Sequence, residues 1–453
     1  MPVFKSKIGL IAATVGSAVG LGTVWRFPAE AQTNGGAAFL LIYIGCVFLL
    51  GIPLMLAEFA LGRGERSDAV GVFRKIAPGT KWWLVGAGAV LAPFLIMIFY
   101  MVVGGWTLDY LVQSLAGSLY SGLQGAESTG MRDVYFNNVR DAIVARGFQA
   151  SVATIIFVVI NIVVLLGGVQ KGIERMSNIM MPMLFIILVI FCFITLTLPG
   201  AGKGVEFFLA PDFSKITPQV CINALGQALF SLSLGMGILV TYASYYKDST
   251  KLGSTAGIVS SLTLLVALLM GLIIFPAVAA FGLTEHGLSG TTLVFVTLPE
   301  VFASMQGTYF WSALFFLLLI VAALTSTVSI AEVCVRFIQE RTGASRVKAV
   351  LWVLCPMIVL AGVCALSFGV LGDVKICGYN LFDALDAFTN NLLLPVVAFF
   401  TCIYVGWFAP RGFFVGQVSN HGRFKTGFAR VALFVVRWFA PVAILTIFIS
   451  NII

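Results

Sequence analysis

Residues 14–28 read TVGSAVGLGTVWRFP, an apolar run that holds Gly16, Gly20 and Gly22 and then meets Arg26 and Pro28. By itself the stretch is a poor helix, because glycine costs backbone entropy and proline removes a donor. It belongs to a chain of 453 residues that is 60% hydrophobic and only 10% charged. A soluble domain of that length needs more charge to cover its surface, so the chain reads as a polytopic membrane protein whose solvent is the lipid bilayer. The glycine-rich stretch therefore has to be explained inside a membrane span.

Apolar runs place eleven spans at 7–33, 36–62, 83–118, 149–168, 176–198, 217–246, 254–282, 308–338, 347–368, 379–409 and 428–450. The formal net charge is +8, but the basic residues sit in short clusters between spans and form no polar face for nucleic acid. Lys and Arg crowd the segments that share a side with Lys5 and Lys7, such as Arg63, Arg66, Arg74, Lys75 and Lys81. The opposite side carries only Arg132, Arg140, Arg146, Lys203, Lys215 and Lys375. This asymmetry predicts a cytoplasmic N-terminus and an outer C-terminus. The first apolar run is too long for a cleavable signal and stays in the protein. Seven of eight cysteines fall within or at the ends of spans, so no disulfide framework is implied.

The sixth span is interrupted in the same manner as the first, at SLSLGMG, residues 231–237. The two interruptions lie five spans apart, which predicts a repeat of five spans, inverted because an odd number of crossings reverses direction. The domain plan is then 1–200, 201–410, and an appended loop and eleventh span over 411–453. Unwinding frees backbone N–H and C=O groups that lipid cannot satisfy, so paired breaks point to a substrate site near the bilayer midplane. The half-helix after a break offers its positive end to an anion, and the half before it offers carbonyls to a cation. Beyond the spans, 119–148 reads as an outer loop with a short helix. The stretch 283–307, apolar but holding Pro299, reads as a re-entrant or capping hairpin.

With both breaks in view, the chain resembles the neurotransmitter:sodium symporter family, within it the bacterial amino-acid transporters. The resemblance runs from about residue 7 to 410 through GSAVGLGTVWRFP, NGGAAFLLIYI, GIPLMLAEFALGR, NALGQALFSLSLGMGILVTYASY, LVFVTLPEVFASM, ALTSTVSIAEV and FDALDAFTNN. It implies an all-α membrane protein, with inverted five-plus-five helices, discontinuous helices 1 and 6, and an eleventh helix. The function implied is sodium-coupled amino-acid import across a bacterial inner membrane. A proton-coupled carrier or a non-transporting sensor on the same fold are the alternatives. An enzyme is disfavoured, since His286 and His421 are the only histidines and no nucleotide or metal motif is present.

The resemblance assigns one sodium site to Gly16, Val19, Ala322, Thr325 and Ser326. It assigns a second to Ala18, Thr23, Ser231 and Thr263, where hydroxyls replace two carbonyl-bearing side chains, implying a weak or empty site. Of the chloride-site positions Tyr43, Gln227 and Ser231 match, but Ala267 stands where relatives carry Ser or an acid, so chloride dependence is not expected. The substrate carboxylate is assigned to the N–H groups of Leu21 and Gly22 and the Tyr100 hydroxyl, and the amine to carbonyls near Ala18, Phe230 and Ser233. Gly20 replaces the aspartate of amine carriers. Ile96, Tyr100, Phe230, Met236, Ser326 and Ile330 give an apolar lining, implying a neutral, hydrophobic or aromatic amino acid. Arg26 and Asp386, with Phe230 as lid, match the outer gate, and Glu30 lies four residues on, poised to compete. Tyr245 and Glu340 match the inner gate; Phe4 replaces its tryptophan, and Lys5 is the candidate for its missing arginine. Glu58, Asp109, Glu332 and Asp383 read as structural hydrogen-bonding groups.

Overall fold

The computed structural model describes residues 4–20, 22–128, 132–145, 148–282 and 290–452. Among these the chain is helical, with no named strand and one isolated bridge between Ile376 and Tyr379. Nine continuous helices among the described residues are long and apolar enough to cross a membrane: Ala37–Glu65, Trp83–Ala116, Phe148–Leu166, Val169–Leu196, Leu252–Ala280, Thr308–Thr342, Arg346–Phe368, Leu381–Phe408 and Thr426–Ser450. They coincide with nine of the expected spans, the second to fifth and the seventh to eleventh. The first span is two helices, Lys7–Ala18 and Gly22–Thr33, bent by 55°. The sixth is Pro218–Ser231 and Ile238–Ser244, separated by the non-helical residues 232–237.

Burial sorts the spans into a centre and a rim. The most apolar window of the eighth span is 78% buried and that of the eleventh only 33%, so the eighth is a core element and the eleventh faces lipid. The third and eighth spans form the most extensive helix pair, and the N-terminal half of the first span, Lys7–Ala18, packs on the fifth, seventh and eighth. The second span packs along Ile238–Ser244. The two broken spans are thus enclosed by protein, the only setting in which non-helical backbone is tolerated at membrane depth.

The segments expected on the outer side differ in part from expectation. The polar loop holds two helices, Leu123–Ser128 and Arg132–Val144. Within the expected hairpin, residues 283–289 lie outside the described residues, and Leu293–Ala303 is one short helix. Pro299 sits in its first α-turn behind a wider π-turn over Leu293–Thr297, so its missing N–H breaks nothing. The helix is anchored by aromatic packing of Phe295 on Trp25, Trp106 and Tyr110 and of Phe302 on Phe191 and Phe315.

Candidate functional site

The first break begins at Val19, whose φ of −86° and ψ of 68° leave the helix, and the chain resumes in a π-turn over Gly22–Arg26. Leu21 lies outside the described residues. In the sixth span Ser233, Gly235 and Gly237 adopt positive φ of 55°, 78° and 65°. Both glycines are required twice over. A Cβ on Gly235 would lie 2.8 Å from the Leu394 carbonyl oxygen, and one on Gly237 2.6 Å from that of Ala89.

The freed backbone groups find partners across the two breaks. The Gly235 N–H donates to Glu58 Oε1 at 2.7 Å, a buried carboxylate reaching in from the second span. The Ser17 carbonyl accepts from Ser233 Oγ at 2.9 Å and Ser326 Oγ at 3.5 Å. Gln227 Nε2 donates to the Gly22 carbonyl at 2.9 Å. Satisfying these groups inside protein is what makes the unwound segments affordable in lipid.

Between the breaks lies a small cavity lined by Ser17, Ala18, Gly20, Gly22, Ile96, Tyr100, Phe230, Ser233, Met236, Ser326 and Ile330. Apart from Leu21, every residue assigned above to the substrate is on this wall. At Gly20 a Cβ would stand 2.5 Å from Tyr100 Oη and 2.7 Å from Ser326 Oγ. The lining carries hydroxyls, main-chain groups and apolar side chains, and no ionisable group except the Tyr100 phenol. A ligand's charges have to be met by the backbone at the breaks, which suits a zwitterion with an uncharged side chain.

Beside this cavity the first and eighth spans meet at Gly16 and Thr325, the Thr325 Cβ being 3.2 Å from where a Gly16 Cβ would stand. Thr325 Oγ1 bonds back to the Val321 and Ala322 carbonyls at 3.0 and 3.1 Å. Carbonyl and hydroxyl oxygens are hard, neutral ligands of the kind that suits a sodium ion. At the second assigned site the donors are partly engaged. Thr23 Oγ1 donates to the Ala18 carbonyl at 3.0 Å, and Ser231 Oγ lies 2.8 Å from Tyr43 Oη. The Thr263 hydroxyl is buried with no hydrogen-bond partner among the described residues, and Ala267 is fully buried.

Above Phe230 opens a vestibule of about 1140 Å³, which shares Gly22, Tyr100 and Phe230 with the inner cavity and has Arg26, Glu30, Asp383 and Asp386 on its walls. The Phe230 ring is the partition between the two spaces. Arg26 lies over that ring at 4.8 Å and pairs with Glu30 at 3.7 Å. Asp386 instead accepts from Asn390 Nδ2 at 2.7 Å. The expected Arg26–Asp386 pair is therefore not formed in this structure, because each member holds a neighbour on its own helix.

Tyr245 and Glu340 lie on the opposite side. The Tyr245 hydroxyl donates to Glu332 Oε1 at 2.7 Å, not to Glu340, and Arg336 covers the Tyr245 ring at 5.5 Å. Glu340 pairs with Arg336 and accepts from Ser67 Oγ at 2.6 Å and the Asp68 N–H at 2.9 Å. Burial, with Glu340 beside it, pushes the Asp68 carboxyl up. Glu332, fully buried, receives both Arg346 guanidinium nitrogens at 2.8 and 2.6 Å. Phe4 is buried against Tyr242, Tyr245 and Tyr246. Lys5 is exposed, so the cations of this network are Arg336 and Arg346 and not Lys5. Glu174 holds the start of the first span, accepting the Lys5 N–H at 2.9 Å and the Ser6 N–H and hydroxyl, each at 3.0 Å.

The comparisons agree with this architecture. The family model described as sodium:neurotransmitter symporter family matches residues 2–123 and 131–453. An uncharacterized sodium-dependent transporter of Bacillus subtilis, YhdH, is 38% identical, covering 99% of this chain and 97% of its own. One from Haemophilus influenzae is 34% identical over 99% and 97%. The Drosophila melanogaster sodium-dependent serotonin transporter is 28% identical over 98% of this chain and 75% of its own. The crystal structure of MhsT in complex with L-phenylalanine superposes with a TM-score of 0.89 at 37% identity, covering 100% of both chains. Paired discontinuous helices, a backbone-lined central cavity and these matches lead to one conclusion: the chain belongs to the sodium:neurotransmitter symporter family, and is a multi-span, sodium-dependent secondary transporter and not an enzyme.

Proposed function

We infer that the protein imports a neutral, hydrophobic or aromatic amino acid with sodium by alternating access. The observation that carries the reading is the central cavity, whose polar groups are backbone and hydroxyls at two helix breaks and whose remaining wall is apolar. The phenylalanine bound to MhsT is a molecule of that class. On this reading the Gly22 N–H, the Leu21 N–H and Tyr100 take the carboxylate, and carbonyls near Ala18, Phe230 and Ser233 take the amine. Ile96, Met236 and Ile330 bound the side chain, and the thioether of Met236 lets the pocket repack around several sizes. The broken spans support the plan of inverted repeats over 1–200 and 201–410 with 411–453 appended. The basic asymmetry supports a cytoplasmic N-terminus and an outer C-terminus in a bacterial inner membrane.

Gly16, Val19, Ala322, Thr325 and Ser326 are proposed to bind the coupling sodium, and the second set, where the hydroxyls of Thr23 and Thr263 stand in place of two carbonyl-bearing side chains, to contribute little. Tyr43 and Ser231 pair with each other and Gln227 with Gly22, which supports chloride-independent transport. The test is thermal stability against a panel of amino acids in sodium chloride and in choline chloride. Binding to the folded state raises stability by RT ln(1 + [L]/Kd). Hydrophobic and aromatic amino acids are expected to stabilise only in sodium, with a Hill slope in sodium near one. Shifts that follow pH instead of sodium would favour proton coupling, and sodium-dependent binding without uptake by proteoliposomes would make the protein a sensor.

The outer gate is proposed to close when Arg26 leaves Glu30 for Asp386 over the Phe230 lid. Glu30→Gln removes the competing charge. A half-exposed ion pair contributes up to about 1 kcal/mol, so substrate affinity is expected to rise by up to about fivefold, with slower release. Unchanged or weaker binding in a competition assay would show that Glu30 does not restrain the gate.

A further inference from the structure

Outside the transport path, a groove of about 890 Å³ runs between the third and tenth spans. Its walls are Leu84, Val85, Gly88, Leu393, Val397 and Phe400, with Val396 between the last three. Leu84 and Phe400 are 52% and 42% exposed, so the groove opens to the bilayer. Leu393 to Phe400 spans about 10 Å at 1.5 Å per residue, within one leaflet of hydrocarbon.

One end of the groove is polar, formed by Thr80, Lys81 and Trp82. Trp82 packs in tilted contact against Tyr404 and Phe408, ring centroids 5.1 and 4.9 Å apart, and Trp83 lies beneath the Arg74 guanidinium at 5.3 Å. Tryptophan so placed marks the level where hydrocarbon meets head groups. Lys81 is exposed, and its ammonium makes no ion pair or hydrogen bond among the described residues. The neighbouring charges are otherwise occupied: Lys75 donates to the Glu65 carbonyl, and Asp68 caps its own helix and faces Arg341.

We propose that this groove is a binding site for an anionic phospholipid, one acyl chain lying between the third and tenth spans and the phosphate meeting Lys81. The lining chooses between occupants. An extended polypeptide entering the groove would bring unpaired backbone N–H and C=O groups, for which Leu, Val, Gly and Phe side chains offer nothing, and an apolar helix would leave the rim ammonium without a counter-charge; an anionic phospholipid needs no backbone partners and supplies that charge. The free ammonium at the rim supplies the complement for the phosphate, worth roughly fivefold in affinity per basic residue near the surface. The orientation proposed above puts the site in the inner leaflet, but lipid binding is measured independently of orientation and of transport. The site also touches the gate: Leu393 ends the π-turn over Phe388–Leu393 that carries Asn390, the residue that holds Asp386. A chain filling the groove braces that turn.

The experiment is native mass spectrometry of the full chain released from nanodiscs of phosphatidylcholine with one-fifth phosphatidylglycerol. Wild type is expected to retain one phosphatidylglycerol in preference to phosphatidylcholine. Lys81→Glu is expected to weaken phosphatidylglycerol retention roughly tenfold and leave phosphatidylcholine unchanged. Val396→Trp, which fills the groove from its lipid-facing side, is expected to lose the retained lipid altogether while remaining monodisperse. Equal retention of both lipids by wild type, or unaltered phosphatidylglycerol retention in either variant, overturns the proposal. A change of oligomeric state in Val396→Trp with lipid retention intact also overturns it, assigning the groove to a second copy of the chain.

Discussion

Replacing Arg346 by alanine is expected to destabilise the folded protein by about 3–5 kcal/mol, the range for stranding one member of a buried ion pair. Glu332 is fully buried, and the variant would leave its carboxylate with the Tyr245 hydroxyl, at 2.7 Å, as its one remaining partner among the described residues. The guanidinium also donates to the Leu165 carbonyl at 3.1 Å, so the variant uncouples the ninth span from the end of the fourth. Arg346→Lys keeps the charge without the two-pronged geometry and should recover only part of the loss. Glu332→Gln combined with Arg346→Met removes both charges and should be more stable than Arg346→Ala alone. The measurement is unfolding in mild detergent, followed by the exposure of buried cysteines such as Cys334. A cost near 1 kcal/mol for Arg346→Ala would mean that water reaches Glu332.

The second large effect is expected at Gly20. A Cβ there falls at 2.5 Å from the Tyr100 hydroxyl and 2.7 Å from Ser326 Oγ, separations that side-chain carbons do not adopt. Gly20→Ala is therefore expected to displace two groups assigned to substrate and sodium, and to weaken amino-acid binding by at least one hundredfold. Gly20→Asp adds a carboxylate beside the position proposed for the substrate amine, and should abolish amino-acid binding outright. Both variants should fold, since the strain falls on side chains that line a cavity. The discriminating measurement is a thermal-shift titration: ligand-free stability close to wild type with the amino-acid response lost. Near-normal binding by Gly20→Ala would move the substrate away from this cavity.

The fold was legible in the sequence because its determinants are local. Span lengths follow from runs of apolar residues, and the interruptions announce themselves as glycines where lipid forbids free backbone. Pro299 does not break Leu293–Ala303, because its effect depends on whether the turn before it is α or π, a distinction no residue type encodes. The central cavity was legible only through the resemblance, since Ile96 or Ile330 alone looks like any core residue. The long-range electrostatics were not legible. Glu58 reaches Gly235 and Glu174 reaches Ser6 across 177 and 168 residues of chain, and a carboxylate in a span signals that a partner exists without saying which. For the same reason Lys5, chosen for its place in the sequence, yielded to Arg336 and Arg346, which the packing of the eighth and ninth spans brings to the tyrosines.

The clamp on the start of the first span has a mechanical consequence. Lys7–Ala18 is a rod of 12 residues, about 18 Å long, jointed at Val19 and pinned near its far end by Glu174. A swing of only about 10° at the joint carries the far end through about 3 Å, more than a hydrogen bond stretches before it fails. The leverage runs both ways: a small rotation at the site releases three bonds at the pin together, and the pin in turn fixes the angle at which the broken backbone presents itself to a ligand.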